Sequence, residues 1–271
     1  MWTAVVGVDG SEAAQRALRW AAGLAEHHGG AVTAVHAYDV GRDIDPRLGA
    51  AVREAALAEA DEVLARATDE LADTGVIVEH EVRSVGEDHV VTALCDAARD
   101  ADLLVVGSRG LGGFYGLVMG SVSLHTVLHA PGPVAVVPGK ERVRHLSPSG
   151  GYVLVGLDGS PHAARALDWA LDEVQAGGGR LVLAYVGDDW RKREGEEILE
   201  QARALVPDGV EVETHALIGT PAEVLVDRSK DARLTVVGSR GRGGFRGMVL
   251  GSVGLHLSQY AHSPVVIVRG R

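Results

Sequence analysis

The sequence has almost none of the features that mark secreted or membrane proteins. It contains a single cysteine, Cys95, so no disulfide bond can form within the chain. It contains no asparagine, which excludes N-linked glycosylation. No apolar run approaches the roughly 20 residues that span a bilayer, and Asp9 interrupts an N-terminal apolar stretch that has no basic region before it. We therefore expect neither a membrane span nor a signal peptide, and we expect a cytoplasmic protein.

Positive charge is also scarce. The chain has 26 Lys and Arg residues against 37 Asp and Glu residues, which gives a formal net charge of −11. A charge of this sign repels nucleic-acid backbones and anionic lipids at long range. We therefore expect neither nucleic acid nor a membrane surface as a partner. Any anion that the protein binds must be held by local groups.

The length and composition are those of a folded protein. Hydrophobic residues make up 46% and charged residues 23% of the 271 residues, which excludes a disordered or fibrous chain. At roughly 150 residues per domain, this length favours two domains or one large domain.

An internal repeat decides between these two possibilities. The segment VVGVDGS at 5–11 recurs as LVGLDGS at 154–160, an offset of 149 residues. A longer segment at 105–125 recurs at 236–256, an offset of 131 residues. Because the offsets differ, the second copy is 18 residues shorter than the first between its two motifs. The chain is therefore predicted to consist of two copies of one domain.

The shortening and the boundary between the copies can both be placed. The missing residues fall mainly in the helix-like region 43–73, which corresponds to 188–206 in the second copy. A polar segment rich in Pro, Gly and Ser, 138–151, is typical of a linker. We predict one domain over 1–146 and a second over 147–271.

Within each copy, short β-branched runs alternate with stretches of helical periodicity. This alternation predicts right-handed βαβ units and a mostly parallel sheet of about five strands, with helices on both faces. The first helix is predicted to begin after Ser11 as its N-cap and to end at Gly29. Its buried face is predicted to contain Ala14, Leu18, Ala21 and Ala25.

The loops after the first and fourth strands of each copy carry the most informative residues. Ligands of open parallel sheets bind beyond the carboxyl ends of the strands, where the strand order reverses. The loop after the first strand reads Gly-x-Asp-Gly-Ser and starts at Gly7 and Gly156. The segment after the fourth strand reads Gly-x2-Gly-x9-Gly-Ser and starts at Gly107 and Gly238. Because both motifs are complete in both copies, we predict a ligand site in each.

Each residue type in these loops suits the binding of a phosphorylated ligand. A glycine at a strand end lets the backbone approach a ligand closely. The Gly-Ser pair opens a helix whose first N–H groups lack helical partners and attract anions. Arg109 and Arg240 would add positive charge, and Asp9 and Asp158 would accept hydrogen bonds from ribose hydroxyls. A second interpretation stays open, in which the glycines form only turns and the polar residues only cap helices.

Several other motifs are missing from the sequence. It has no GxxxxGK[ST] segment and no GxSxG segment, and the glycines that follow Gly110 do not form GxGxxG. His125 and His129 have the i,i+4 spacing of metal ligands, but Tyr260 replaces the second histidine in the other copy. We interpret them as a packed or surface pair. Cys95 has no counterpart, and no nucleophile–base pair is visible, so we predict no catalytic residues, no protein metal ligands and no enzyme activity.

The motifs resemble those of the universal stress protein family, whose nucleotide-binding members carry the pattern G-x2-G-x9-G-[ST]. The resemblance covers nearly the whole chain as two tandem copies. It implies an α/β fold of two tandem domains, each a five-stranded parallel sheet of order 3-2-1-4-5 with helices on both faces. This fold is of the adenine-nucleotide alpha-hydrolase-like class. The resemblance also implies ATP bound across strands one and four.

By position, the resemblance assigns ten nucleotide contacts to each copy. In the first copy they are Gly7, Asp9, Ala37, Val106, Gly107, Arg109, Gly110, Gly120, Ser121 and Val122. In the second copy they are Gly156, Asp158, Val186, Val237, Gly238, Arg240, Gly241, Gly251, Ser252 and Val253. The shortened helix of the second copy departs from the first and leaves the affinity of its adenine side open.

The last strand of each copy is expected to pair with a partner strand. In the family this strand commonly pairs with that of another domain, so VAVV at 134–137 is expected to run antiparallel to VVIV at 265–268. This pairing would make a pseudo-two-fold unit within one chain and hide two sheet edges. Association of two such chains into a homodimer is a further expectation.

Three functions fit these observations. The first is an ATP-binding regulator of stress adaptation that is not an enzyme and holds magnesium or manganese through the phosphates of ATP. The second is a slow ATPase or nucleotide-transfer enzyme, which would need a general base such as Asp9 or Asp158. The third is a structural dimerisation module in which the glycine loops are only turns.

Overall fold

The chain is described by a computed structural model in seven stretches. These are residues 1–38, 49–72, 74–84, 90–110, 119–139, 151–243 and 249–270. The predicted domain boundary near residue 147 lies outside the described residues, so it stays a prediction.

The first half alternates strands and helices, as its sequence predicts. Its strands are β1 (Thr3–Gly7), β2 (Ala31–Tyr38), β3 (Ile77–Ser84), β4 (Leu103–Gly107) and β5 (Val134–Val137). Its helices are α1 (Glu12–His28), α2 (Gly49–Asp69), α3 (Val90–Ala97) and α4 (Ser121–His129).

The second half repeats this alternation with one shorter helix. Its strands are β6 (Tyr152–Gly156), β7 (Arg180–Gly187), β8 (Val212–Ile218), β9 (Ala232–Gly238) and β10 (Val265–Val268). Its helices are α5 (Pro161–Gly177), α6 (Lys192–Arg203), α7 (Pro221–Arg228) and α8 (Ser252–Tyr260), with a short 3-10 helix at Asp189–Arg191. The predicted shortening is confirmed, because α6 has 12 residues where α2 has 21.

Helix α1 shows why these elements form where they do. The Ser11 hydroxyl accepts a hydrogen bond from the Ala14 amide at 3.1 Å, which satisfies one of the free N–H groups of the first turn. Gly29 ends the helix with φ of 58°, a left-handed conformation that glycine adopts at low cost. Ala14, Leu18, Ala21 and Ala25 are all buried, as predicted.

All ten strands form one sheet. The strand order is β3-β2-β1-β4-β5-β10-β9-β6-β7-β8. Within each half this is the predicted order 3-2-1-4-5, and every pair within a half is parallel. The fold prediction is therefore confirmed for both copies.

The two halves meet through β5 and β10, which pair antiparallel with Val266 opposite Ala135. All four residues of each strand are buried. The antiparallel pairing expected from the sequence is thus present, and it removes both strands from the edge of the sheet. No helix in the described part of the chain is long and apolar enough to cross a membrane.

A buried cluster of charged residues also joins the halves. Arg233 on β9 donates from Nη1 to Glu173 Oε1 at 2.8 Å and from Nη2 to the Gly178 carbonyl at 3.0 Å. His28 at the end of α1 places Nε2 2.9 Å from Glu173 Oε2, and its ring stacks on Trp2. Glu173 on α5 therefore contacts residues of both halves while its own side chain is only 1% exposed.

Candidate functional site: two equivalent clefts

One cleft opens in each half at the carboxyl ends of the two central strands. β1 lies beside β4, with Val6 opposite Val105, and β6 lies beside β9, with Val155 opposite Val236. The strand order reverses at these pairs, so the connections on either side leave toward opposite faces of the sheet and open a crevice. The four glycine-containing segments singled out in the sequence all start here.

The first cleft has a volume of about 560 Å³, within the range of roughly 300–1,000 Å³ typical of small-molecule sites. It brings together all ten residues predicted for the first copy. These are Gly7, Asp9, Ala37, Val106, Gly107, Arg109, Gly110, Gly120, Ser121 and Val122.

The second cleft is nearly the same size, at about 580 Å³. It likewise brings together all ten residues predicted for the second copy. These are Gly156, Asp158, Val186, Val237, Gly238, Arg240, Gly241, Gly251, Ser252 and Val253. Two distant stretches of sequence thus converge on one cleft in each half.

The aspartates organise the loops after the first strands, and Asp158 also joins the two loops of its cleft. Asp158 accepts the Ser160 amide on Oδ1 at 2.9 Å and the Arg242 amide on Oδ2 at 2.8 Å. In the first cleft, Asp9 Oδ1 accepts the Ser11 amide at 3.0 Å. Asp9 therefore bonds the N-cap residue of the first helix, which agrees with the second interpretation, in which the polar residues cap helices. Both carboxylates also line their clefts.

Gly107 and Gly238 allow the fourth strand to pack on the first helix of its half. A Cβ added at Gly107 would lie 2.6 Å from the carbonyl carbon of Ala13. A Cβ added at Gly238 would lie 2.6 Å from the corresponding atom of His162. Any side chain here would displace backbone, so these glycines are required by close packing.

The N-termini of α4 and α8 open into the clefts without a side-chain cap. Gly120 and Gly251 occupy the N-cap positions, and neither helix has a side-chain hydrogen bond there. The amides of the two glycines donate to the carbonyls of Ser108 and Ser239, at 2.8 and 2.7 Å, which closes each loop. The first turn of each helix therefore presents backbone N–H groups and the positive end of its dipole to the cleft.

A histidine contacts the arginine that lines the second cleft. Arg240 donates from Nε to His162 Nε2 at 3.2 Å. Burial lowers the pKa of His162 from its ordinary value, and the positive charges of Arg165 and Arg240 lower it further, while Asp158 acts in the opposite direction. The neutral imidazole is the form that accepts this hydrogen bond.

Sequence reasoning missed the charged wall of the second cleft. Asp188, Arg191 and Arg242 all line it. The Arg191 guanidinium lies 4.6 Å from the ring centroid of Trp190, and Arg242 forms an ion pair with Glu194. Asp188 and Arg191 belong to no repeated motif, so no signal in the sequence identified them. Arg242 lies inside the second motif, but at a variable position where the first copy has Leu111.

Sequence reasoning also missed the apolar residues of the clefts, although the repeat offers a signal for them. Leu94 lines the first cleft and Leu225 the second, and the two are related by the offset of the second motif. Further pairs at the repeat offsets line both clefts. They are Val8 and Leu157, Ala14 and Ala163, Val35 and Ala184, Val90 and Pro221, and Ser123 and Gly254.

Two other groups noted in the sequence lie outside the clefts. His125 and His129 are exposed on α4, and their rings are stacked with centroids 6.4 Å apart, which is a surface pair. Cys95 is half-buried, and burial is the main cause that raises the pKa of its thiol. Among the described residues, no group of three or more His, Cys, Asp or Glu side chains is placed to hold a metal ion.

Comparison with known proteins identifies the class of protein that has this fold and these clefts. The model of the Universal stress protein family matches residues 2–138 and 152–269. The chain belongs to the universal stress protein family, and it carries two copies of the family's domain.

Relatives that match over nearly their whole length confirm this membership. A universal stress protein of Mycolicibacterium smegmatis is 35% identical over 295 residues, covering 98% of this chain and 97% of the relative. One of Mycobacterium tuberculosis is 34% identical over 289 residues, covering 98% and 95%. The crystal structure of a universal stress protein from Archaeoglobus fulgidus superposes with a TM-score of 0.79 at 25% identity, over 98% of each chain. The similarity thus extends across both copies.

Proposed function

We propose that both clefts bind adenine nucleotides, with ATP as the expected ligand, and that the protein is a regulator of stress adaptation rather than an enzyme. The observation that carries the proposal is the recurrence of ten equivalent residues around two separate clefts of similar volume. An ATP-dependent regulator of this kind would act in the cytoplasm.

The lining of each cleft suits the parts of a nucleotide. The open helix N-termini after Gly120 and Gly251 offer backbone N–H groups to phosphates. The carboxylates of Asp9 and Asp158 face their clefts as acceptors for ribose hydroxyls. Apolar side chains such as Leu94 offer a surface for the base. Magnesium or manganese would be held through the nucleotide's phosphates rather than by protein ligands.

Hydrogen bonding at Asp158 favours binding over hydrolysis. Each of its carboxylate oxygens already accepts a backbone N–H group, from Ser160 and from Arg242. Both oxygens therefore already serve as acceptors that join the two loops of the second cleft. This arrangement suits a residue that orients a loop and a ribose better than a general base of a slow ATPase.

The sheet offers a route by which nucleotide binding could affect the whole chain. We propose that the two halves act as a pseudo-two-fold unit joined through β5 and β10, with a homodimer of chains as a further assembly. Nucleotide in one cleft would contact β4, the neighbour of β5, and nucleotide in the other would contact β9, the neighbour of β10. Occupancy would then alter the shape of the joined unit or the surface that it offers to partners.

Calorimetric titration with ATP and Mg²⁺ tests the proposal. Valine in place of Gly120 and Gly251 should abolish binding, because the isopropyl groups would occupy the space at the helix N-termini where the phosphates are expected. The fold should survive, since an added Cβ at either position comes no closer than 3.6 Å to another atom. Gly132→Val is the matched control, because an added Cβ there meets nothing within 4 Å and Gly132 does not line the first cleft.

Each outcome of this titration separates the candidate functions. Binding that the double variant loses and the control retains supports the proposal. Failure of the wild-type protein to bind ATP contradicts it and favours a structural module. Release of phosphate from ATP by the wild-type protein, lost in the double variant, would instead favour a slow ATPase.

A further inference from the structure

The two clefts differ at one position beside the arginine of the glycine motif. The second residue of α5 is His162, and the repeat places Ala13 at the equivalent position of α1. The charged neighbours of His162 all have counterparts in the first copy, since Asp158, Arg165 and Arg240 correspond to Asp9, Arg16 and Arg109. Within this cluster, the imidazole is therefore the one side chain that the second half has and the first half lacks.

His162 is placed to hold Arg240 in one orientation. Its Nε2 accepts the Nε–H of Arg240 at 3.2 Å, and its backbone packs against Gly238 at the end of β9. Both Arg240 and Gly238 line the second cleft. The imidazole thus fixes a cationic side chain at the mouth of the cleft, against the first turn of α5.

Three charged groups set the protonation of this imidazole. Arg240 faces it from the loop after β9, Arg165 from the next turn of α5, and Asp158 from the loop after β6. Burial is the main cause that lowers the pKa of His162, the two arginines lower it further, and Asp158 raises it. The free protein therefore holds the imidazole neutral at neutral pH, which is the state that accepts from Arg240.

We propose that His162 is a proton-dependent positioning residue for Arg240, so that the second cleft, but not the first, binds nucleotide phosphates more tightly as the pH falls. The inference rests on the proposed nucleotide binding and adds its regulation. Protonation removes the acceptor lone pair of Nε2 and places two cations side by side. Arg240, which lines the cleft, then loses this hydrogen bond and becomes available to the phosphates, and the imidazolium adds a positive charge next to Arg240.

The sign of the effect follows from linkage. Bound phosphates stabilise the imidazolium, so the pKa of His162 is higher in the complex than in the free protein. The gain in affinity is complete below the pKa of the free protein and is lost as the pH rises through the pKa of the complex. A difference of about one pKa unit between the two states corresponds to about a tenfold change in affinity.

Single-cleft variants allow the two sites to be compared under identical conditions. Gly120→Val leaves the second cleft, and Gly251→Val leaves the first. The dissociation constant of ATP with Mg²⁺ is measured for each from about pH 5 to about pH 8, the range in which histidine titrates. Protonation of ATP itself affects both clefts equally, so the difference between the two pH profiles reports the protein.

Substitutions at the two equivalent positions complete the test. His162→Gln keeps an acceptor for Arg240 but does not titrate, so the second cleft should lose its extra pH dependence and stay in its weaker state. Ala13→His should confer the same pH dependence on the first cleft, and it keeps the test informative if His162 variants fold poorly. Equal pH profiles for the two clefts, or an unchanged profile in His162→Gln, would overturn the inference while leaving nucleotide binding intact. Absence of binding at every pH would instead overturn the proposed function, and this inference with it.

Discussion

Two glycines of the same motif, Gly107 and Gly120, have different structural roles. A Cβ added at Gly107 would clash with the backbone of Ala13. A Cβ added at Gly120, thirteen residues further along the chain, would make only ordinary van der Waals contacts. The sequence motif does not distinguish the two residues, because glycine is a fixed residue of the motif at both positions. The structure assigns the first to packing of β4 on α1 and the second to the opening of the cleft.

This difference predicts unequal effects of the same substitution on stability. Gly107→Ala should lower the free energy of unfolding by about 1–3 kcal/mol, because the added methyl group overpacks a backbone contact. Gly120→Ala should change stability little, since its Cβ comes no closer than 3.6 Å to any atom. Urea denaturation of both variants measures the effect. Equal loss of stability in the two variants would show that Gly107 is not held by packing.

At the scale of elements, local sequence was sufficient for most of the fold. The cap at Ser11, the stop at Gly29 and the buried stripe of α1 are all short-range signals. Strand β5 at Val134–Val137 has the predicted bounds because its four apolar residues follow a Pro-Gly-Pro turn. The family resemblance supplied the strand order and the ten predicted residues of each cleft, including Ala37 and Val186, which lie outside both motifs.

Elements outside the repeat were not predictable in this way. The 3-10 helix at Asp189–Arg191 brings Arg191 to the second cleft, but no periodicity or motif marks it. The cluster around Glu173 depends on contact between α1, α5 and β9, which lie far apart in the sequence. Arg233 stands where the first copy has Asp102, so the repeat gave no indication of this ion pair.

The buried ion pair between Glu173 and Arg233 predicts a large effect of mutation on stability. Glu173→Ala should lower the free energy of unfolding by about 3–5 kcal/mol, because it leaves the buried guanidinium of Arg233 without its carboxylate. Glu197→Ala is the control, since Glu197 is 62% exposed and its ion pair with Arg193 contributes about 0–1 kcal/mol. Thermal and urea unfolding measure both. A loss for Glu173→Ala no larger than that of the control would show that the cluster does not stabilise the junction.

At the level of the whole molecule, the acidic chain is compatible with the anionic ligand that we propose. The net charge of −11 opposes phosphate binding at long range. Each cleft counters it locally with an open helix N-terminus and one arginine of the glycine motif, Arg109 or Arg240. Duplication and the pairing of β5 with β10 then place two such sites on one continuous sheet.

Native mass spectrometry directly counts the two nucleotide sites that we propose for one chain. With excess ATP and Mg²⁺, the wild-type chain should carry two nucleotides, and Gly120→Val and Gly251→Val should each carry one. The variant with both substitutions should carry none. The presence of two nucleotide sites would be contradicted if the wild-type chain bound no nucleotide or only one. It would also be contradicted if the single variants still bound two.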